Sequence, residues 1–136
     1  MLRLSVPVAL AALEAAQDEI ERHLTAADVP VAVQLRVRLV VEELLANLVM
    51  HGRFAGEPPP MRLAVATLPD GVELAVEDAA APFDPRTSPA PPLSLPPEER
   101  PIGGLGLAMV RRSATVRFYG AAEDGWNRTV LWFPAR

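Results

Sequence analysis

The 136-residue chain has no cysteine and no lysine, and its only histidines are His23 and His51. Without cysteine there is no disulfide framework, no thiolate nucleophile and no Cys-ligated zinc or cluster, and a reducing cytoplasm is the expected compartment. Without lysine there is no phosphate-contacting lysine of the P-loop NTPases and ordinary protein kinases, and no Schiff-base chemistry. Two histidines exclude a multi-histidine metal site, and a Ser-His-Asp triad would have to use one of them. Aromatics are scarce at 5%, and 17 acidic residues outnumber 13 arginines for a net charge of −4. The basic patch and stacking platforms of a nucleic-acid binder are therefore missing. No apolar run reaches the ~20 residues of a membrane-spanning helix, because Glu14, Arg38, Glu42 and Glu43 break the best candidates. The expectation is a soluble protein with neither a membrane nor a nucleic-acid partner.

Half of the residues are apolar, which suits one core and a single domain over residues 1–136. Leu2, Leu4 and Val6 alternate with Arg3 and Ser5, the pattern of a strand rather than a signal peptide. Leu10, Leu13, Ile20 and Leu24 then follow helical spacing, and after a break at Asp28 to Pro30 a longer helix runs from Val31 to Met50. Its apolar positions include Leu35, Leu39, Val40, Leu44, Leu45 and Leu48, and Gly52 ends it. Met61 to Leu68 and Val72 to Asp78 read as strands around a Pro69-Asp70-Gly71 turn, and Thr115 to Tyr119 and Arg128 to Phe133 as a second pair around Glu123-Asp124-Gly125. Eight of the fifteen prolines fall between Pro82 and Pro101, a density that neither helix nor central strand tolerates and that is characteristic of a lid or linker. The order predicts an α+β fold: a two-layer sandwich of a mixed, largely antiparallel sheet with helices on one face.

Three groups of residues could carry chemistry. On the second helix, Glu43 and Asn47 lie within about 40° of each other, with Val40 and His51 on the same side. A carboxylate there needs a partner, a metal or a purpose, unless the face is a helix edge that reaches solvent. His51 is expected to pack in the core. Asp78 is in phase with Val72, Leu74 and Val76 and points toward the core, where it could accept a hydrogen bond from an exocyclic amine; it could equally cap the following turn. Gly103-Gly104-Leu105-Gly106-Leu107 opens a helical run, where backbone N–H groups and the helix dipole favour an anion, although many tight turns look alike.

In order and spacing, Glu43-x-x-x-Asn47, Asp78 with Pro82-Phe83-Asp84-Pro85, and Gly103-Gly104-x-Gly106-Leu107 resemble the N, G1 and G2 boxes of the GHKL superfamily: gyrase, heat-shock chaperones, histidine kinases and mismatch-repair ATPases. Within it the chain is most similar to bacterial anti-sigma factor serine/threonine kinases. The resemblance implies a Bergerat-like ATP-binding fold over 1–136 with a lid at about 82–102. Asn47 would coordinate Mg²⁺, and Glu43 would be the general base. Asp78 would read the adenine amine, supported by Thr129. Phe83 and Ala80 would line the nucleotide site, the backbone from Gly103 through Leu105 to Leu107 would hold the phosphates, and Arg100 in the lid would add charge. The cofactors implied are ATP and Mg²⁺.

One position departs from the pattern, because Ala80 stands where the family usually has glycine. If that glycine supplies a close approach or a positive φ, the added methyl weakens nucleotide binding. The implied function is phosphorylation of an antagonist protein by a domain that also sequesters a sigma factor, as a homodimer. The alternative is a nucleotide-weak or inactive binding module acting on the sigma factor. No dimerisation helices precede the domain in these residues, which sets aside a complete histidine kinase.

Overall fold

The computed structural model describes residues 1–81 and 110–135. Strand β1 (Leu2–Val6) leads through a turn of 3-10 helix at Leu10–Ala12 into helix α1 (Leu13–Ala26), and helix α2 follows at Val31–His51. Strands β2 (Met61–Leu68), β3 (Gly71–Asp78), β4 (Thr115–Ala121) and β5 (Asn127–Pro134) complete the described elements. The sheet order is β1-β2-β3-β5-β4, and each pairing is antiparallel. The architecture is the expected α+β sandwich, but no parallel pair occurs among the described residues; the connection from β1 to its neighbour β2 passes through two helices and returns the chain antiparallel.

The core face of the sheet follows from register. Leu4, Leu63 and Val76 lie in one row across β1, β2 and β3, and Leu74 faces Leu131 across β3 and β5. Against this face α1 places Ala16, Ile20 and Leu24, and α2 places Val33, Val37, Val40, Val41, Leu45 and Leu48, both at helical spacing. These side chains form one buried cluster with the sheet. Four expected core positions do not join it: Leu10 is 52% and Leu35 59% exposed, Leu39 is half-buried outside the cluster, and His51 is exposed at the end of α2. The buried stripe runs through 33, 37, 40/41, 45 and 48, which turns position 35 outward and leaves His51 beyond the last core contact.

Hydrogen bonds far apart in sequence fix where α2 lies. Arg36 Nη2 donates to the Pro134 carbonyl at 2.9 Å, close to the start of α2. Beyond its other end, Ala81 N–H donates to the Arg53 carbonyl at 2.8 Å. Helix α2 therefore runs antiparallel to β5, and its last turns approach the end of the sheet where β3 finishes and β5 begins. Between the helices, the amide of the buried Gln17 donates to the Arg38 carbonyl at 2.8 Å.

Two glycines meet local demands. Gly125 takes φ +86 in the β4–β5 turn, a conformation that suits glycine. Gly52 ends α2 with φ −62 and ψ 137, so it stops the helix without a left-handed turn. Space is its reason: a Cβ there would sit 2.5 Å from the Leu48 carbonyl oxygen and 2.7 Å from the Phe54 ring. Gly52→Ala should lower stability by about 1–3 kcal/mol, the usual cost of overpacking, seen as a lower urea midpoint with unchanged slope. Wild-type stability would show that Phe54 moves aside freely.

Candidate active site at the end of the sheet

Asp78 is the last residue of β3 and pairs with Asn127, the first of β5. It shares the core face with Val72, Leu74 and Val76, as its phase requires, and it also closes the next turn. Its Oδ1 accepts from Ala80 N–H at 3.0 Å and from Asn127 Nδ2 at 2.9 Å. Both readings of this aspartate thus hold together. No described residue bonds Oδ2. Burial pushes the carboxyl pKa up, and the bonds from Asn127 and Ala80 oppose that shift.

The sequence reading missed Asn127. Its amide donates to Asp78 and also to the Ala80 carbonyl at 2.7 Å, while its Oδ1 accepts from the Tyr119 hydroxyl at 3.2 Å. A signal existed, because Asn127 is two residues before Thr129 in the same strand and so faces the core with it. Thr129 itself is buried and pairs with Val76, one pleat away. Among the described residues its hydroxyl makes no bond to Asp78. Asn127 provides the direct support expected of Thr129.

Ala80 does not need the glycine conformation, since Asp28 is the one described non-glycine residue with positive φ. The Ala80 side chain is partly buried against the core, and its N–H and C=O are both bonded. The positive-φ argument for weakened binding therefore falls away, and the close-approach argument rests on the Ala80 methyl alone. Ala80→Gly should cost about 0.4–1 kcal/mol of stability through added freedom of the unfolded chain, measured as a lower melting temperature. A rise would show that the methyl is strained.

On α2, Glu43 and Asn47 are half-buried one turn apart, whereas Glu42 is exposed. Among the described residues, neither Glu43 nor Asn47 has an ion pair or side-chain hydrogen bond. The Asn47 amide oxygen is a hard donor suited to Mg²⁺. Among the described residues no group of three or more His, Asp or Glu gathers, so a Mg²⁺ at Asn47 would draw its other ligands from phosphate and water, as this ion commonly does. The Ala81–Arg53 bond ties the Asp78 turn to the segment leaving α2, which brings the two polar groups to the same end of the sheet.

Behind the site, on the sheet's helix-free face, Arg62 bridges Glu77 at 3.3 Å and Asp124 at 2.6 Å and stacks 3.9 Å over Trp126. Arg128 reaches Glu77 at 3.4 Å. Exposed pairs of this kind contribute little singly, but together they link the β4–β5 turn to β2 and β3 next to Asp78. After the segment carrying Gly103 and Gly106, residues 110–113 are helical and Val110 is fully buried. Phe83, Arg100, Gly103, Gly104, Leu105, Gly106, Leu107 and the expected lid lie outside the described residues.

The Glu43 carboxyl is raised above its ordinary 4.5, first by desolvation and then by the neighbouring Glu42 charge. The folded chain therefore keeps this proton where the unfolded chain has released it. The stability it gives is complete below the ordinary value and is lost as pH rises through the raised one. Glu43→Gln should accordingly raise the urea midpoint at pH 7, with the difference from wild type vanishing near pH 4. A midpoint that falls at pH 7 would mean that the carboxylate is stabilising.

Residues 6–130 match the family model described as a histidine kinase-like ATPase domain. A similar protein is the serine/threonine-protein kinase BtrW of Bordetella bronchiseptica, 29% identical over 99 residues that cover 73% of this chain and 69% of the relative.

Proposed function

We propose that this chain, which belongs to the histidine kinase-like ATPase domain family, is an ATP-dependent protein serine/threonine kinase. Its acceptor would be a serine or threonine of an antagonist protein, and the same domain, as a homodimer, would sequester a sigma factor. The observation that carries the reading is the placement of two polar side chains, Glu43 and Asn47, with no side-chain partner among the described residues, on one face of α2, whose exit is tied to the Asp78 turn by the Ala81–Arg53 bond. The family supports ATP as the nucleotide, and the relative's name as a serine/threonine-protein kinase supports transfer to a hydroxyl. The smaller claim, a kinase or ATPase activity, needs only the family.

Each residue has a distinct part. Asp78 offers Oδ2 to the adenine amine. Asn47 would hold Mg²⁺, which when bound would neutralise charge on the triphosphate. Glu43 takes the proton of the acceptor hydroxyl as its oxygen bonds to the γ-phosphorus, while the bond from that phosphorus to the β–γ bridging oxygen breaks and ADP leaves. A raised carboxyl pKa makes Glu43 a stronger base than an exposed glutamate, provided that it stays ionised at working pH. Glu42, turned about 100° away, has no part in the transfer.

The test pairs chemistry with binding. Glu43→Gln should slow phosphate transfer from labelled ATP to an antagonist on the order of 10²-fold or more while keeping ATP affinity, and Glu42→Gln should leave both unchanged. Asn47→Ala should abolish Mg²⁺-dependent ATP binding without unfolding the chain. Equal transfer by both glutamate variants would remove the base assignment. Tight sigma-factor association by a wild type that transfers nothing would favour the binding module.

A further inference from the structure

The end of the sheet contains a relay of hydrogen bonds from uncharged donors, two of whose members, Tyr119 and Asn127, lie outside the boxes of the resemblance. It runs from the Tyr119 hydroxyl on β4 to Asn127 on β5, then to Asp78 on β3 and to Ala80 beyond it. Asn127 is only 9% exposed, and both hydrogens of its amide are committed, one to Asp78 and one to the Ala80 carbonyl. Those two acceptors also settle which way the amide faces. A flipped Asn127 would set its oxygen against two other oxygens and lose both bonds, while the Tyr119 hydroxyl gives the correctly placed oxygen its donor.

A carboxylate oxygen has two lone pairs, and Oδ1 of Asp78 already accepts two bonds. Recognition of a further donor is therefore left to Oδ2. The partners on Oδ1 are uncharged, so they orient the carboxylate without cancelling its charge, as an arginine would. Resting on the reading of Asp78 as the adenine contact, we infer that Asn127 is a positioning residue for base selectivity: it locks Asp78 so that Oδ2 faces the 6-position of the purine. A 6-amino group donates to that oxygen, whereas a 6-keto group meets it oxygen to oxygen. Selectivity for ATP over inosine triphosphate thus depends on Asn127, a side chain that does not itself touch the base.

Affinities of the full chain for ATP and inosine triphosphate, with Mg²⁺, test this in wild type, Asn127→Ala and Tyr119→Phe. Wild type should prefer ATP. Asn127→Ala should shrink the preference about tenfold by weakening ATP more than inosine triphosphate, the scale of one lost hydrogen bond to a charged group. Tyr119→Phe, which keeps Asn127 and Asp78, should shrink it a few-fold in the same direction. A purely structural role would weaken both nucleotides equally and leave the ratio intact. A wild-type preference that survives in both variants overturns the inference while sparing the assignment of Asp78, and if Asn127→Ala does not fold, Tyr119→Phe alone decides. A wild type that binds the two nucleotides alike, or neither, overturns the assignment of Asp78 and the inference with it.

Discussion

The bond from Asn127 Nδ2 to Asp78 Oδ1 joins the end of β3 to the start of β5, and the rest of the site is arranged around it. Burying a carboxylate without a cation is costly, and the cost is reduced by aiming neutral dipoles at one oxygen. What remains is a carboxyl group with no cation beside it and one oxygen unbonded among the described residues. Such a group is poor for stability and well suited to recognition, because an incoming donor meets an acceptor that is already oriented and partly stripped of water. The opposing pulls of burial and hydrogen bonding on the Asp78 pKa express the same compromise.

Helix α2 brings the second half of the chemistry to that place. Its buried stripe of valines and leucines lays it along β5, and the Arg36–Pro134 and Ala81–Arg53 bonds set its direction. Glu43 and Asn47 consequently lie on a rigid element rather than a loop, one turn apart, with the geometry set by core packing. The fold accepts the strain of a half-buried glutamate beside another glutamate. Among the described residues that penalty has no structural return, since neither Glu43 nor Asn47 bonds to another side chain there. Groups that cost stability and gain nothing internally are where function is expected.

Much of this could be read from the sequence because it depends on short periods. Alternation located β2, β3 and β5 within a residue or two, and the 3.6 period located α2, since each pattern is a direct trace of which face is buried. Phase alone put Asp78 on the core face. Legibility failed where tertiary placement decides. Nothing local distinguishes Leu35 from Leu45, yet one faces solvent and the other the sheet, and the same is true of His51. Asn127 escaped notice because its importance is a cross-strand pairing with residue 78, and register is not a local property. Of the two reasons for a glycine at position 80, a positive φ and a close approach, the backbone of this chain removes the first.

The central claim is that the end of the sheet holding Asp78 and the last turns of α2 form one nucleotide site. The chain has only two asparagines, Asn47 and Asn127, and they report on its two sides. The most direct measurement follows their side-chain amide resonances in ¹⁵N-labelled protein as ATP is added, with and without Mg²⁺. The account predicts that both shift along one saturation curve with Mg²⁺, and that without the metal Asn127 still responds while Asn47 does so far less. Two asparagine signals that stay fixed at ATP concentrations saturating any binding elsewhere on the chain would contradict it.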